Sequence, residues 1–478
     1  MGGRLPSSMI KVTLGLMLGF AAAPTTEQPR GQLAFEHVSI VDLATGSVLP
    51  DMLVVVDAGR IASITDAKAA GAQPGATVVD ATGKYMIPGL WDMHVHTTDR
   101  SYLPQFVAHG VTGVRDMGGG LSRPTDGCES VEPATLQAWR AEVERGELVG
   151  PRILLSGPVV SGTGWPTSLS ARTPEEAVAA VASLEALRVD FVKVYEKISL
   201  ESYLALANAA KASGMVIAGH VPVETVGLLD AIHAGQRSIE HIRDPLLMCF
   251  TAEKDELSLF FAQDGWSEAD VEWGWLAHAQ CPDILSAVSN HAVWFTPTLV
   301  VEHAKVAVEG PRWAEKRLQS WLPRSVRDAH AKYARDKRAQ MPEERASEHR
   351  WWEAQKKMVG RLMQSGASLL AGTDSACEGG LPGEDLHSEL ELLVEAGLTP
   401  RQALAAATLE PARYFESGDE RGLITAGARA DLVLLDGNPL EDISNTRRIH
   451  GVVLLGQWLD SSRLAALRDR KAQLPVEP

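Results

Sequence analysis

The stretch Tyr85-Met86-Ile87-Pro88-Gly89-Leu90-Trp91-Asp92-Met93-His94-Val95-His96-Thr97 constrains this chain more than any other. An apolar run ends in His-x-His, and on a strand residues i and i+2 project to one face, so His94 and His96 present their rings side by side. Neutral imidazoles suit Zn²⁺ and similar borderline ions. Pro88-Gly89 marks a turn that feeds a buried strand. Four more ligand-type residues stand at or near the ends of later apolar runs. They are Lys193 in Phe191-Val192-Lys193-Val194-Tyr195, His220 after Val216-Ile217-Ala218-Gly219, His241 after Ser238-Ile239-Glu240, and Asp374 after Leu369-Leu370-Ala371-Gly372-Thr373.

Strand and helix patterns alternate between these positions. Thr173-Pro174-Glu175-Glu176 is a capping box with proline at the first helical position, and it opens a helix carrying Val178, Val181, Leu184 and Leu187. Ser199 opens the next helix and Gly214 closes it before the strand that ends at His220. Thr399-Pro400-Arg401-Gln402 caps another in the same way. That periodicity is what successive parallel strands of a barrel require. Short β-rich runs before Asp80 recur at the far end in Ala430–Leu435 and Gly451–Gly456, which predicts one small sheet module built from both termini. Asp57-Ala58-Gly59-Arg60 reads as a hairpin turn within it.

The six residues in this order resemble the amidohydrolase superfamily of metal-dependent hydrolases, in particular its imidazolonepropionase-like and Xaa-Pro-dipeptidase-like members. The resemblance implies an α/β fold, a (β/α)₈ TIM-type barrel with a small β-sandwich. The expected organisation is a leader at 1–23, the sandwich's first part at 24–85, the barrel at 86–420 with a helical insertion at about 244–360, and the sandwich's second part at 421–478. It also implies a two-metal site, zinc by preference. His94, His96 and Asp374 would hold the more buried ion and His220 and His241 the more exposed one. Lys193 would bridge them as a carbamate, since a protonated ammonium cannot ligate a cation and burial beside metals favours the free amine that adds CO₂. A water bridging the ions would be the nucleophile, and Asp374 would carry its proton to the leaving amine. On the substrate side stand Tyr195, two residues past Lys193 on the same face, Arg115 at the end of the presumed second strand, and His387 on the segment after Asp374. His109 and His233 are read as structural.

The expected reaction is hydrolysis of an amide in a dipeptide or N-acyl amino acid. The same site acting on a lactone, carboxyl ester or organophosphate is the nearest rival. Imidazolonepropionase chemistry, with one metal, has no need of Lys193. A non-catalytic binding barrel is the rival of another class, and it would be expected to lack ligands. Eight of the twelve tryptophans (Trp266, Trp273, Trp275, Trp294, Trp313, Trp321, Trp351 and Trp352) fall between His241 and Asp374, where they are expected either to glue the insertion down or, for Trp273 and Trp294, to wall the substrate.

A formal net charge of −16 and a pI near 5.4 argue against a nucleic-acid partner. The start carries Arg4 and Lys11, then an apolar stretch from Val12 to Ala23 ending in three alanines, the pattern of an export signal and too short for a comfortable membrane span. No cysteine follows it, so no stable membrane anchor is expected. The four cysteines (Cys128, Cys249, Cys281 and Cys377) have no metal-site spacing. A small-molecule or dipeptide substrate and a homo-oligomer complete the expected partners.

Overall fold

The computed structural model describes residues 31–469 apart from 70, 73, 119, 121–129, 164–166, 249–281, 307–330, 333–334, 336–341, 376–379 and 417–421. The proposed leader, the four cysteines and Trp266, Trp273, Trp275, Trp313 and Trp321 lie outside the described residues. Among the described residues no helix is long and apolar enough to cross a membrane.

Eight parallel strands form the barrel in chain order: Leu90–Val95, Val111–Asp116, Arg152–Leu155, Phe191–Val194, Val216–Gly219, Ser238–Glu240, Trp294–Thr296 and Ser368–Leu369. The third and fourth meet through Asp190 N–H donating to the Leu155 carbonyl at 2.9 Å. The last and first close the ring through Met93 N–H to Ala371 O (2.9 Å), Asp374 N–H to His94 O (2.7 Å) and a parallel bridge between Val95 and Ser375. The long runs of Val, Ile and Leu are thereby explained. In the fourth strand Val192 and Val194 face the helices while Phe191 and Lys193 face inward, and all four are buried.

Both chain ends contribute to a second, eight-stranded sheet. Its order is Gln457–Asp460, Ile449–Leu454, Leu432–Leu435, Tyr85–Pro88, Leu33–Asp42, Ser47–Asp57, Arg60–Asp66, with Thr77–Asp80 also on Leu33–Asp42. Alternation decides what each side chain does. Val433 and Leu435 join the barrel's core, whereas Leu432 and Leu434 pack with Phe35, Val54 and Ile61 in a core of the sheet's own. The sheet curls over that core, because Trp458 on its edge strand meets Phe35 edge-on with ring centroids 5.2 Å apart. Ala58 and Gly59 take positive φ of 46° and 76°, the left-handed pair that a tight hairpin turn needs.

The predicted N-caps form, but the box at Thr173 lacks its reciprocal half, because Glu176 Oε2 accepts instead from the Arg172 N–H at 2.9 Å and the Ser170 hydroxyl at 2.6 Å. Thr173 Oγ1 accepts from Glu176 N–H, Ser199 Oγ from Ser202 N–H, and Thr399 shares a reciprocal box with Gln402. At the strand exits the backbone is more demanding. Gly219, just before His220, has φ +126°, and a Cβ there would lie 2.2 Å from the Val194 carbonyl oxygen of the neighbouring strand. Gly219→Ala is therefore expected to lower stability by about 1–3 kcal/mol, the usual strain of such a backbone, and to displace His220. An unchanged thermal midpoint would show that the strand yields more easily than its ladder suggests.

Candidate metal centre

The C-terminal ends of the barrel strands deliver the six predicted residues to one place. His94 lies at the centre of this arrangement. Its ring centroid is 5.5 Å from that of His96 and 4.9 Å from that of His241, and His241 is 4.6 Å from His220. Asp374 Oδ1 sits 3.3 Å from His94 Nε2 and 3.0 Å from His96 Nε2. His94, His241 and Asp374 each offer one ligand atom within 4.8 Å of the others. Two of these candidate ligands depend on unusual backbone. His241 and Asp374 have φ of 63° and 57°, a left-handed conformation that non-glycine residues adopt at a cost and that concentrates at functional sites.

Supporting groups hold the candidate ligands in place. Asp92 accepts from Thr373 Oγ1 at 2.7 Å and from Thr373 N–H at 3.0 Å, which ties the Asp374 loop to the His94 strand. Gly372 lets the two approach, since a Cβ there would meet His94 Cβ at 2.8 Å. The Nδ1 atoms of His94 and His241 face Glu240 Oε2 (2.9 Å) and Thr298 Oγ1 (2.8 Å). Lys193, 2% exposed, completes the site from the fourth strand.

Burial sets the electrostatics. It pushes His94 down to about 4 and His241 down to about 3, only partly offset by Asp374, so both rings are neutral near pH 7 and carry lone pairs. Burial likewise lowers Lys193, against the pull of Asp374, Glu240 and Asp116. His94 Nε2 and Asp374 Oδ1 are buried without any hydrogen-bond partner. Buried polar atoms are normally paired. Neutral imidazole nitrogens and a carboxylate oxygen left unpaired, all aimed at one point, are the donor set a divalent cation takes.

Three substrate-side expectations are corrected. Arg115 is fully buried behind the ligands, with its Nη2 2.7 Å from Glu240 Oε1, so it serves the barrel interior and not a substrate anion. His387 is also fully buried, with Nδ1 3.0 Å from Thr446 Oγ1 and Nε2 3.1 Å from the His109 carbonyl, so both nitrogens are engaged. Trp294 begins its strand and therefore lies at the opposite end of the barrel from the ligands. It packs on Tyr414 with Trp91 and Met93 and donates its indole N–H to Glu410 at 3.2 Å. Trp351 and Trp352 are buried on the helix Pro342–Gln364, Trp352 against His303 and Lys356, and act as glue. Tyr195 does stand at the site, its ring edge-on to His220 with centroids 4.5 Å apart. Sequence reading gave no role to Glu240, Asp92 or Thr298. The signal for Glu240 was present, as a charged residue inside a short apolar strand directly before a ligand.

A closed eight-stranded α/β barrel with an imidazole–carboxylate cluster at its C-terminal mouth defines the metal-binding barrel hydrolases as a class. The model of the amidohydrolase family matches residues 85–459, and the chain belongs to that family. A solved bottromycin amidohydrolase superposes with a TM-score of 0.72 at 26% identity, covering 92% of this chain and 89% of that one. A putative prolidase from Bifidobacterium longum gives a TM-score of 0.63 at 24% identity, covering 93% and 99%. Ochratoxinase of Aspergillus niger is 22% identical over 414 residues, 75% of this chain and 71% of that protein. The adenine deaminase of Paracoccus denitrificans (strain Pd 1222) is 33% identical over 79 residues only, and the chain spans 13% of that protein's length.

Proposed function

We propose that this enzyme uses two divalent ions, zinc by preference, to hydrolyse an amide bond in a dipeptide or N-acyl amino acid. The observation that carries the reading is the convergence of four imidazoles, one carboxylate and one buried lysine at the barrel mouth. An amidohydrolase and a putative prolidase among the structural relatives support an amide as the bond.

His94, His96 and Asp374 would hold one ion and His220 and His241 the other, with Lys193 between them as a carbamate. Ions bound there supply a Lewis acid and lower the pKa of water. Asp374 takes the proton of the attacking water and hands it to the departing amine, a transfer worth about 10²–10⁴-fold in rate. Tyr195, beside His220, offers its hydroxyl to the substrate's carboxylate or carbonyl oxygen. Arg115 is sealed beneath the cluster, so an anionic group of the substrate is met at the mouth and not at Arg115.

The test is hydrolysis of a library of dipeptides and N-acyl amino acids by protein reconstituted with divalent metal. Turnover is expected on a subset of these amides, with activity lost on chelation and restored by added metal. Hydrolysis confined to lactones, esters or phosphotriesters would overturn the choice of bond. Undiminished rates after thorough chelation would overturn the metal.

A further inference from the structure

Behind the ligands lies a buried network that the proposed chemistry does not use. One oxygen of Glu240 is 2.9 Å from His94 Nδ1, and the other accepts from Arg115 Nη2 at 2.7 Å and from the Ser238 hydroxyl at 2.6 Å. Arg115 donates in turn from Nε to the Met93 carbonyl (2.6 Å), from Nη1 to Ser238 Oγ (2.7 Å) and from Nη2 to Thr296 Oγ1 (3.3 Å). Its guanidinium also sits 5.0 Å from the Tyr414 ring centroid. The first, second, sixth and seventh strands are thus tied together under one histidine. Arg115 and Glu240 are both fully buried.

We propose that Glu240 is a positioning residue for metal binding, which fixes the tautomer of His94 so that the bare lone pair of Nε2 points into the cluster, and that Arg115 clamps Glu240 in that pose. A neutral imidazole has one donor and one acceptor nitrogen, and an ionised carboxylate only accepts. A 2.9 Å contact between them therefore puts the proton on Nδ1. Nε2 is left as the acceptor, and it is the buried nitrogen without a hydrogen-bond partner, 3.3 Å from Asp374 Oδ1. His241 makes the contrast. Its Nδ1 faces the hydroxyl of Thr298, which can donate or accept and so dictates no tautomer. A merely structural ion pair would have no reason to keep its second oxygen on a ligand. Metal-bound histidines are commonly oriented by such a carboxylate. The inference rests on His94 being a metal ligand, as the proposed function has it.

The test measures metal affinity by titration against a competing chelator. In Glu240→Gln, Arg115 and Ser238 claim the amide oxygen, so the NH₂ faces His94 Nδ1, the tautomer reverses and a proton caps Nε2. Affinity is expected to fall about 10–100-fold. Because that variant leaves the Arg115 charge buried without its partner, a second one, Arg115→Met with Glu240→Leu, removes both charges. It should regain the thermal midpoint of the metal-free protein while its metal affinity stays low. Wild-type affinity in Glu240→Gln, or affinity that returns together with stability in the double variant, would mark the network as structural and overturn the proposal. Wild-type protein that takes up no ion would overturn the metal-site reading and this inference with it.

Discussion

Asp374→Asn is expected to leave the barrel folded and to cut turnover by roughly 10²–10⁴-fold, the range spanned by a positioned proton-transfer group. The fold should survive because the backbone anchors the residue. Asp374 N–H donates to the His94 carbonyl at 2.7 Å, and Asp92 holds the preceding Thr373 through its hydroxyl and its N–H. Asparagine also tolerates the left-handed conformation that Asp374 adopts at φ 57°. What the substitution removes is charge. Asp374 is the only carboxylate that faces both His94 and His96, at 3.3 and 3.0 Å, among the ion pairs of the described residues. An amide binds a cation weakly and takes no proton at neutral pH. Metal content measured alongside the rate separates the two roles. Turnover lost with metal retained assigns the proton to Asp374, and turnover lost with metal assigns ligation. A variant with undiminished rates would remove Asp374 from the chemistry.

What was legible in the sequence follows from how local each signal is. His94 and His96 were readable because strand alternation alone puts them on one face. Lys193, His220, His241 and Asp374 were readable because each falls at or near the end of an apolar run, and in a parallel barrel those ends converge. Arg115 also ends such a run, yet its fate is decided by Glu240, 125 residues further along. Nothing within the second strand distinguishes an arginine reaching for substrate from one folded inward onto a distant carboxylate. His387 is similar, since the helix face it occupies is settled by Thr446, 59 residues away. Trp294 failed for a different reason. The apolar run from Ala292 to Leu299 is longer than the strand Trp294–Thr296, so the run alone did not reveal which end each residue occupies. In a barrel that difference separates the floor from the active face.

Lys193→Ala is expected to lose one or both ions and to reduce activity by more than the ~10–100-fold that removal of a supporting partner costs. The argument starts from charge. Two dications about 4 Å apart repel on the order of 16 kcal/mol at an effective dielectric near 20, four times the value for unit charges. Four neutral imidazoles contribute nothing against that, and Asp374 contributes one negative charge. A second anion is needed, and Lys193 is the remaining member of the cluster able to become one. Burial pushes its ammonium towards the free amine, against the opposing pull of Asp374, Glu240 and Asp116. On the proposed reading the free amine would add CO₂ and release a proton, and the resulting carbamate would supply the second negative charge. Short carboxylates supplied to Lys193→Ala should therefore restore part of the metal content and part of the rate, because they return that charge to the space left by the side chain. Lys193→Arg should not respond, since a guanidinium stays cationic and fills the space. Metal analysis of the purified protein, with and without added bicarbonate, gives the reading independent of turnover. One ion per chain in the wild type, together with an active Lys193→Ala, would make the site mononuclear and bring ring-opening hydrolysis to the front.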